Sequence, residues 1–273
     1  MALRSPLINV MDGAARKAAR GLQRDFGEVE QLQVSKKGPA DFVSRADRRA
    51  EQIIRDHLQG GRPTFGFLME ESGEIQGQPG EPRFIIDPLD GTTNFLHGIP
   101  HFCISIAVEH KGEIIAGLIH DPLRDETFWA DKGQGAYVND RRIRVSARQH
   151  LSQSVVATGI PHIARGDHEQ YLEILSRMMP SVVGIRRMGA AALDLAYVAA
   201  GRYDAYWEEG LQIWDVAAGI LIVHEAGGFV TDYKGASKMT ENGEIVAAND
   251  HLHTPFLKLI REGRAARRAK AQA

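Results

Sequence analysis

Phe84-Ile85-Ile86-Asp87-Pro88-Leu89-Asp90-Gly91-Thr92-Thr93-Asn94-Phe95 joins an apolar run, two acids, a proline, a glycine and two hydroxyls. Residues 84–86 read as a short buried strand, and Pro88, which has no N–H for a sheet ladder, should end it at Asp87. Both carboxylates are then expected on the turn beyond. Two residues separate Asp87 from Asp90, so a tight turn can aim both at one point, while Gly91 permits close backbone approach and Thr92 and Thr93 begin a helical turn. Acids beside a helix start suit a cation together with a phosphate. Strand ending or helix capping would account for either acid alone, but neither requires the second acid and the Gly-Thr-Thr that follows.

Upstream, Ser5 and Pro6 have the form of a helix cap and a first helical residue. Leu7, Val10, Met11, Ala14, Ala18, Leu22 and Phe26 then recur at helical spacing, which makes residues 7–26 an amphipathic helix with Arg16, Lys17, Arg20 and Arg24 on its wet face. Gly38-Pro39 excludes regular structure over 33–43 and places Lys36 and Lys37 on a loop. Ser44 and Asp47 form an acidic variant of a capping box for a helix through Ile53, Ile54 and Leu58, with Asp47 complementing the helix dipole. Residues 64–68 are a strand that delivers Glu70 and Glu71, and adjacent residues of an extended chain point opposite ways. One of these two acids should therefore face a site and the other solvent.

Downstream, 103–110 and 113–120 flank Lys111-Gly112 as a hairpin, and 127–130, 136–138 and 142–145 continue an antiparallel meander. From 155 onward, strands at 155–158, 182–187 and 204–207 alternate with helices at 167–179, 190–201 and 214–226. Short strands at 229–231 and 245–248 and a helix over 250–261 follow. The expectation is a single domain over 1–273, with 1–150 carrying two helices and a mostly antiparallel sheet and 151–273 forming an α/β half. A second acidic signal lies at Glu208-Glu209-Gly210-Leu211-Gln212-Ile213-Trp214-Asp215, where Asp215 reads as a helix start before the small residues Ala217, Ala218 and Gly219. Arg264, Arg267, Arg268 and Lys270 read as a frayed, solvated end.

A hydrophobic fraction of 43% over 273 residues is ample for a sizeable core, and a net charge of −2 exerts no global pull toward nucleic acid or anionic membrane. Cys103 is the only cysteine and lies in an apolar run, so it reads as a buried thiol in a reducing, cytoplasmic setting. Arg4, Pro6 and Asn9 interrupt any signal-peptide pattern at the start, and no apolar run approaches a membrane span.

The segment 84–95 resembles the metal- and phosphate-binding signature of the inositol monophosphatase family, part of the lithium-sensitive phosphatase superfamily. Trp214-Asp215 before its small-residue helix resembles the family's second signature, and Glu70-Glu71-Ser72 stands upstream in the expected order. The resemblance spans roughly residues 5–262 and implies an α/β (α+β) fold, the layered αβαβα sandwich shared with fructose bisphosphatases, usually as a homodimer. It implies that Glu70, Asp87 and the Leu89 carbonyl match one metal position and that Asp87, Asp90 and Asp215 match a second. Glu70 would help hold a looser third ion with Asp47 in support, and Thr92 beside Asp47 matches the pair that orients the attacking water. Gly91 and Thr92 would offer N–H groups to the phosphate, Asp90 and Glu208 would reach substrate hydroxyls, and Lys36 matches a loop lysine near the phosphate. Ala190 departs from the family, which often has a hydroxyl residue after the glycine at 189.

The implied activity is Mg²⁺-dependent, Li⁺-inhibited hydrolysis of myo-inositol 1-phosphate or a similar small polyol phosphate, with a metal-activated water attacking phosphorus in line. Oxygen-only ligands suit hard Mg²⁺, and the four carboxylates Glu70, Asp87, Asp90 and Asp215 should repel one another until a cation binds. Other phosphatase chemistries fail on the residues. Glu109 stands six positions after Cys103 where a cysteine phosphatase needs arginine, the spacing of Asp87 and Asp90 is too long for an aspartyl-phosphate pair, and neither Gly-x-x-x-x-Gly-Lys nor Gly-x-Ser-x-Gly occurs. Gly98 and Pro100 deny His97 and His101 a helix and hence a zinc pair, and His251 and His253 read as surface residues. Histidinol phosphate, fructose 1,6-bisphosphate and 3′-phosphoadenosine 5′-phosphate are rival substrates. A binding role with RNA polymerase or RNA is the rival from another class, supported only by the basic arms at 16–24 and 264–270.

Overall fold

The computed structural model describes residues 4–27, 34–36, 42–162 and 166–272. The chain enters through α1 (Pro6–Phe26), β1 (Val34–Lys36), β2 (Phe42–Ser44) and α2 (Arg45–Gly61). β3 (Gly66–Met69), β4 (Gly73–Ile75), β5 (Arg83–Asp90), α3 (Thr92–Leu96), β6 (Cys103–His110), β7 (Glu113–Asp121), β8 (Glu126–Asp131), β9 (Ala136–Val138) and β10 (Arg141–Ile143) follow. The second half runs β11 (Val155–Thr158), α4 (His168–Met178), β12 (Gly184–Arg186), α5 (Ala191–Ala199), β13 (Ala205–Glu208) and α6 (Ile213–Glu225). It ends with β14 (Phe229–Thr231), α7 (Met239–Asn242), β15 (Ile245–Ala248) and α8 (Asp250–Gln272).

Apolar stripes sort these elements into five layers. Ser5 Oγ accepts the Ile8 N–H at 3.1 Å and Pro6 opens α1, whose Ile8, Met11, Ala15, Ala18 and Leu22 pack with Ala50, Ile54 and Leu58 of α2. Both helices cover one face of a sheet ordered β10-β9-β8-β7-β6-β5-β3-β4, through Phe84, Ile86, Ile104 and Ile106. The alternate residues Ile85, Cys103, Ala107, Ile119 and Phe128 face the opposite way onto α5 and α6. Those two helices are apolar on nearly all sides because sheets flank them both: the second sheet, ordered β12-β11-β13-β15-β14, closes the sandwich. Its far face packs Trp207 against Tyr171 and Ile174 of α4 and Phe256 of α8. The αβαβα sandwich is thus the observed architecture.

Several local expectations differ. β5 does not stop at Asp87; it continues to Asp90, with a bulge between the pairs Asp87–Ser105 and Asp90–Cys103. Pro88 sits inside that bulge, where the ladder needs no N–H. β1 and β2 pair antiparallel across the Gly-Pro segment, so regular structure resumes on both sides of it, and Ser44 ends a strand. α8 runs to Gln272, well past residue 261, because the terminal basic residues meet acids: Arg264 pairs with Glu244, Arg267 with Asp167 and Glu169, and Lys270 with Glu173. His253 is buried against Thr231, not at the surface. Among the described residues no helix is long and apolar enough to cross a membrane.

The first sheet meets α6 at Gly117 of β7, where an added Cβ would lie 2.9 Å from the Ala218 carbonyl oxygen and 3.1 Å from its Cα. Both neighbours are backbone and cannot rotate away. Gly117→Val should destabilise the protein by about 1–3 kcal/mol, read as a lowered midpoint in urea unfolding.

Candidate active site

The bulge in β5 gives Asp87 and Asp90 a common direction. The Leu89 N–H donates to Asp87 Oδ1 at 2.9 Å, which closes the turn, and Gly91 follows at φ 91°. A side chain there would meet the His101 carbonyl at 3.0 Å and the Ala190 methyl at 3.3 Å, so the position requires glycine on both counts. Asn94, on the short α3, donates to the carbonyls of His101 and Met188, each at 2.8 Å, and so ties this turn to the segment that leads into α5. The Ala192 N–H of α5 then donates to Asp90 Oδ2 at 2.8 Å.

Three other elements bring acids to the same place. Asp47 lies buried in the first turn of α2, and the Thr92 hydroxyl lies 3.4 Å from its Oδ2 and 2.9 Å from the Leu89 carbonyl oxygen. Glu70 and Glu71 follow β3, held by Glu51 of α2, which accepts the Glu71 N–H at 2.8 Å and the Ser72 hydroxyl. Asp47, Glu70 and Glu71 thereby offer oxygens within 4.8 Å of one another. Asp215 is the third residue of α6, not its cap; Gln212 caps the helix and donates its N–H to Asp215 Oδ2 at 2.7 Å. Ser105, the ladder partner of Asp87, donates its hydroxyl to the Trp214 carbonyl at 3.2 Å and seats that helix start beside β5.

The electrostatics show the convergence. Burial pushes the Asp87 carboxyl well above its usual range, and Glu70, Asp90, Asp215 and Asp47 add to the rise. Asp90 is pushed up to about 7 by burial, with the Ala192 N–H opposing and Glu208 and Glu70 reinforcing the shift. Such a cluster of buried carboxylates fits a hard divalent cation bound through oxygen. The resemblance's metal set (Glu70, Asp87, Leu89, Asp90, Asp215) and the compact triad (Asp47, Glu70, Glu71) overlap at Glu70. Glu71 thus lies in the cluster, 3.9 Å from Arg48 at its edge, and the adjacent acids do not diverge as expected. The ladder at Lys36 is described, but its side chain lies outside the described residues.

Glu51 and Asp194 escaped the sequence reading. Asp47, Glu51, Ile54 and Leu58 follow one helical stripe, so an acid among core positions was the available signal for Glu51. Asp194 is likewise the lone acid in the apolar α5, buried 3.9 Å from His101.

The sequence profile described as the inositol monophosphatase family matches residues 3–265. The chain belongs to the inositol monophosphatase family. It is 56% identical over 257 residues to "Inositol-1-monophosphatase" of Rhizobium meliloti (strain 1021), covering 94% of this chain and 97% of that one. "Nus factor SuhB" of Pseudomonas aeruginosa is 44% identical over 259 residues, covering 93% and 96%. The crystal structure of extragenic suppressor protein suhB from Bartonella henselae superposes with a TM-score of 0.93 at 57% identity, covering 95% of this chain and all of that one. As a member of this family the chain is a phosphatase acting on a small phosphorylated compound, and its acidic cluster suits the metal dependence of the family.

The Asp90 shift has a measurable sign. A free aspartate loses its proton near pH 4, whereas the folded carboxyl keeps it to about 7, so between these values the native state binds more protons and the group's contribution to stability falls as pH rises. In EDTA-treated protein, Asp90→Asn should therefore raise the unfolding free energy more at pH 8 than at pH 5, by a difference on the order of 2 kcal/mol. Calorimetry at the two pH values checks this.

Proposed function

We propose that the chain hydrolyses myo-inositol 1-phosphate, or a similar small polyol phosphate, with Mg²⁺ as cofactor and Li⁺ as inhibitor. The observation that carries this reading is the convergence on buried Asp87 of acids from α2, β3, β5 and α6. Glu70, Asp87, the Leu89 carbonyl, Asp90 and Asp215 hold the metal, which when bound supplies Lewis acidity toward water and the leaving oxygen. Asp47 and Thr92 orient the attacking water. The Thr92 hydroxyl has one proton and two acceptors, Asp47 and the Leu89 carbonyl, so its lone pairs remain to receive a water proton. Gly91 and Thr92 face the phosphate, Lys36 is the lysine that the family pattern sets near it, and Glu208, whose charge acts on Asp90, binds a polyol hydroxyl beside it. Cys103 stays a thiol, since burial raises its pKa well above the ordinary value, and it takes no nucleophilic part. A homodimer in the cytoplasm completes the reading.

Purified protein should release phosphate from myo-inositol 1-phosphate with Mg²⁺, lose activity in EDTA and be suppressed by Li⁺. Asp90→Asn and Asp215→Asn should each lower kcat/KM about 10²-fold or more. Histidinol phosphate, fructose 1,6-bisphosphate and 3′-phosphoadenosine 5′-phosphate belong in the same assay: preference for one of them moves the substrate and keeps the mechanism. Failure of all four esters sinks the enzymatic reading.

The relatives named "Nus factor SuhB" support a second role beside catalysis, contact with the transcription machinery. Part of the charge of the basic arms is offset, because Arg16 pairs with Asp12 and Asp125, and Arg264, Arg267 and Lys270 are paired as described. RNA polymerase pulled down equally by wild type and by Asp90→Asn would establish a role independent of catalysis, and capture by neither would remove it.

A further inference from the structure

Glu208 ends β13, and its orientation is set from two sides by residues that take no part in the chemistry. Tyr206, two residues earlier on the same strand face, is fully buried and donates its hydroxyl to Glu208 Oε2 at 2.5 Å. β11 pairs parallel with β13, Thr158 opposite Trp207, so the next residue, Gly159, lies beside Glu208. A Cβ at Gly159 would overlap the Glu208 carboxylate outright, its nearest atoms being Cδ and both Oε atoms. The carboxylate thus lies across the neighbouring strand in space that only glycine leaves, and is pinned there by a phenol.

We propose that Tyr206 and Gly159 are positioning residues that fix the Glu208 carboxylate for recognition of a vicinal polyol. The inference rests on the substrate-binding role of Glu208 proposed above. Each element contributes differently. The Tyr206 hydroxyl occupies one carboxylate oxygen and so selects a single rotamer of a side chain that would otherwise lose its rotamer entropy only on meeting substrate. Gly159 lets the carboxylate approach the β11–β13 ladder closely enough for that bond to form. Burial, reinforced by Glu208, Asp194 and Asp90, holds the Tyr206 phenol well above its ordinary pKa, so its O–H is a neutral donor within an acidic wall and orients Glu208 without cancelling its charge. The preorganised carboxylate discriminates between a phosphate ester that presents hydroxyls and one that does not.

The test compares KM and kcat for myo-inositol 1-phosphate and for para-nitrophenyl phosphate, which has no polyol hydroxyl, in wild type, Tyr206→Phe and Gly159→Ala. Tyr206→Phe should raise KM for the inositol ester about tenfold with kcat within about twofold, and leave both constants for para-nitrophenyl phosphate unchanged. In a Glu208→Ala background the Tyr206→Phe change should have no further effect on KM, which separates positioning from loosened packing. Gly159→Ala should reproduce the pattern, and it carries the test if Tyr206→Phe fails to fold by circular dichroism. Equal losses on both esters, no change on either, or an additive effect in the Glu208→Ala background overturns the inference while leaving the proposed function intact. A wild type without turnover of the inositol ester overturns the function first.

Discussion

The repulsion among buried carboxylates around Asp87 is the constraint to which the neighbouring architecture answers. Like charges taken out of water raise one another's pKa, and here burial and four neighbouring acids act on one group together. No single element could hold such a set, since one turn would splay apart to relieve it. The chain instead supplies the acids from separate layers: Asp47 from α2, Glu70 from the end of β3, Asp87 and Asp90 from the bulge in β5, and Asp215 from α6. Packing of the layers therefore assembles the site, and the energy that opposes the site is met by the cores on either side of the first sheet.

Backbone amides restrain what arginines do not. The Leu89 N–H reaches Asp87, the Ala192 N–H reaches Asp90 and the Gln212 N–H reaches Asp215. An amide fixes a carboxylate without neutralising it, so the negative charge remains available to an incoming cation. Arg48 touches the cluster only at its Glu71 edge, and other arginines pair with Asp12 and Asp125 under α1, with Glu126 beside Tyr197, and with Glu244 under α8. An arginine inside the cluster would lower these pKa values and compete with metal for the same oxygens.

Periodicity made the layers legible. The apolar stripes of α1 and α2, the hairpin at Lys111-Gly112 and the strand–helix alternation after 155 all stand in the sequence, and the resemblance of 84–95 and 214–215 led to the family. What periodicity missed has common causes. Pro88 reads as a strand end because its missing N–H is judged against a regular ladder, and a bulge removes that need. The last three turns of α8 read as frayed because their ion pairs lie with Asp167, Glu169, Glu173 and Glu244, far away in sequence. Glu51 passes unnoticed because its partners, the Glu71 amide and the Ser72 hydroxyl, belong to a turn twenty residues on. Long-range partners of this kind have no periodicity.

Asp194 shows how the fold limits the charge it concentrates. Both of its carboxyl oxygens are buried without a hydrogen-bond partner among the described residues, and burial together with the fields of Glu208 and Asp90 pushes its pKa well above the ordinary value. His101, 3.9 Å away, is lowered to about 4 by burial and then by Arg124, so the imidazole is neutral at pH 7 and the contact is not an ion pair. Burial thus works against a further negative charge behind Asp90. The acids on the open side of the site lie where a cation can reach them, whereas Asp194 is sealed behind them and burial opposes its charged form.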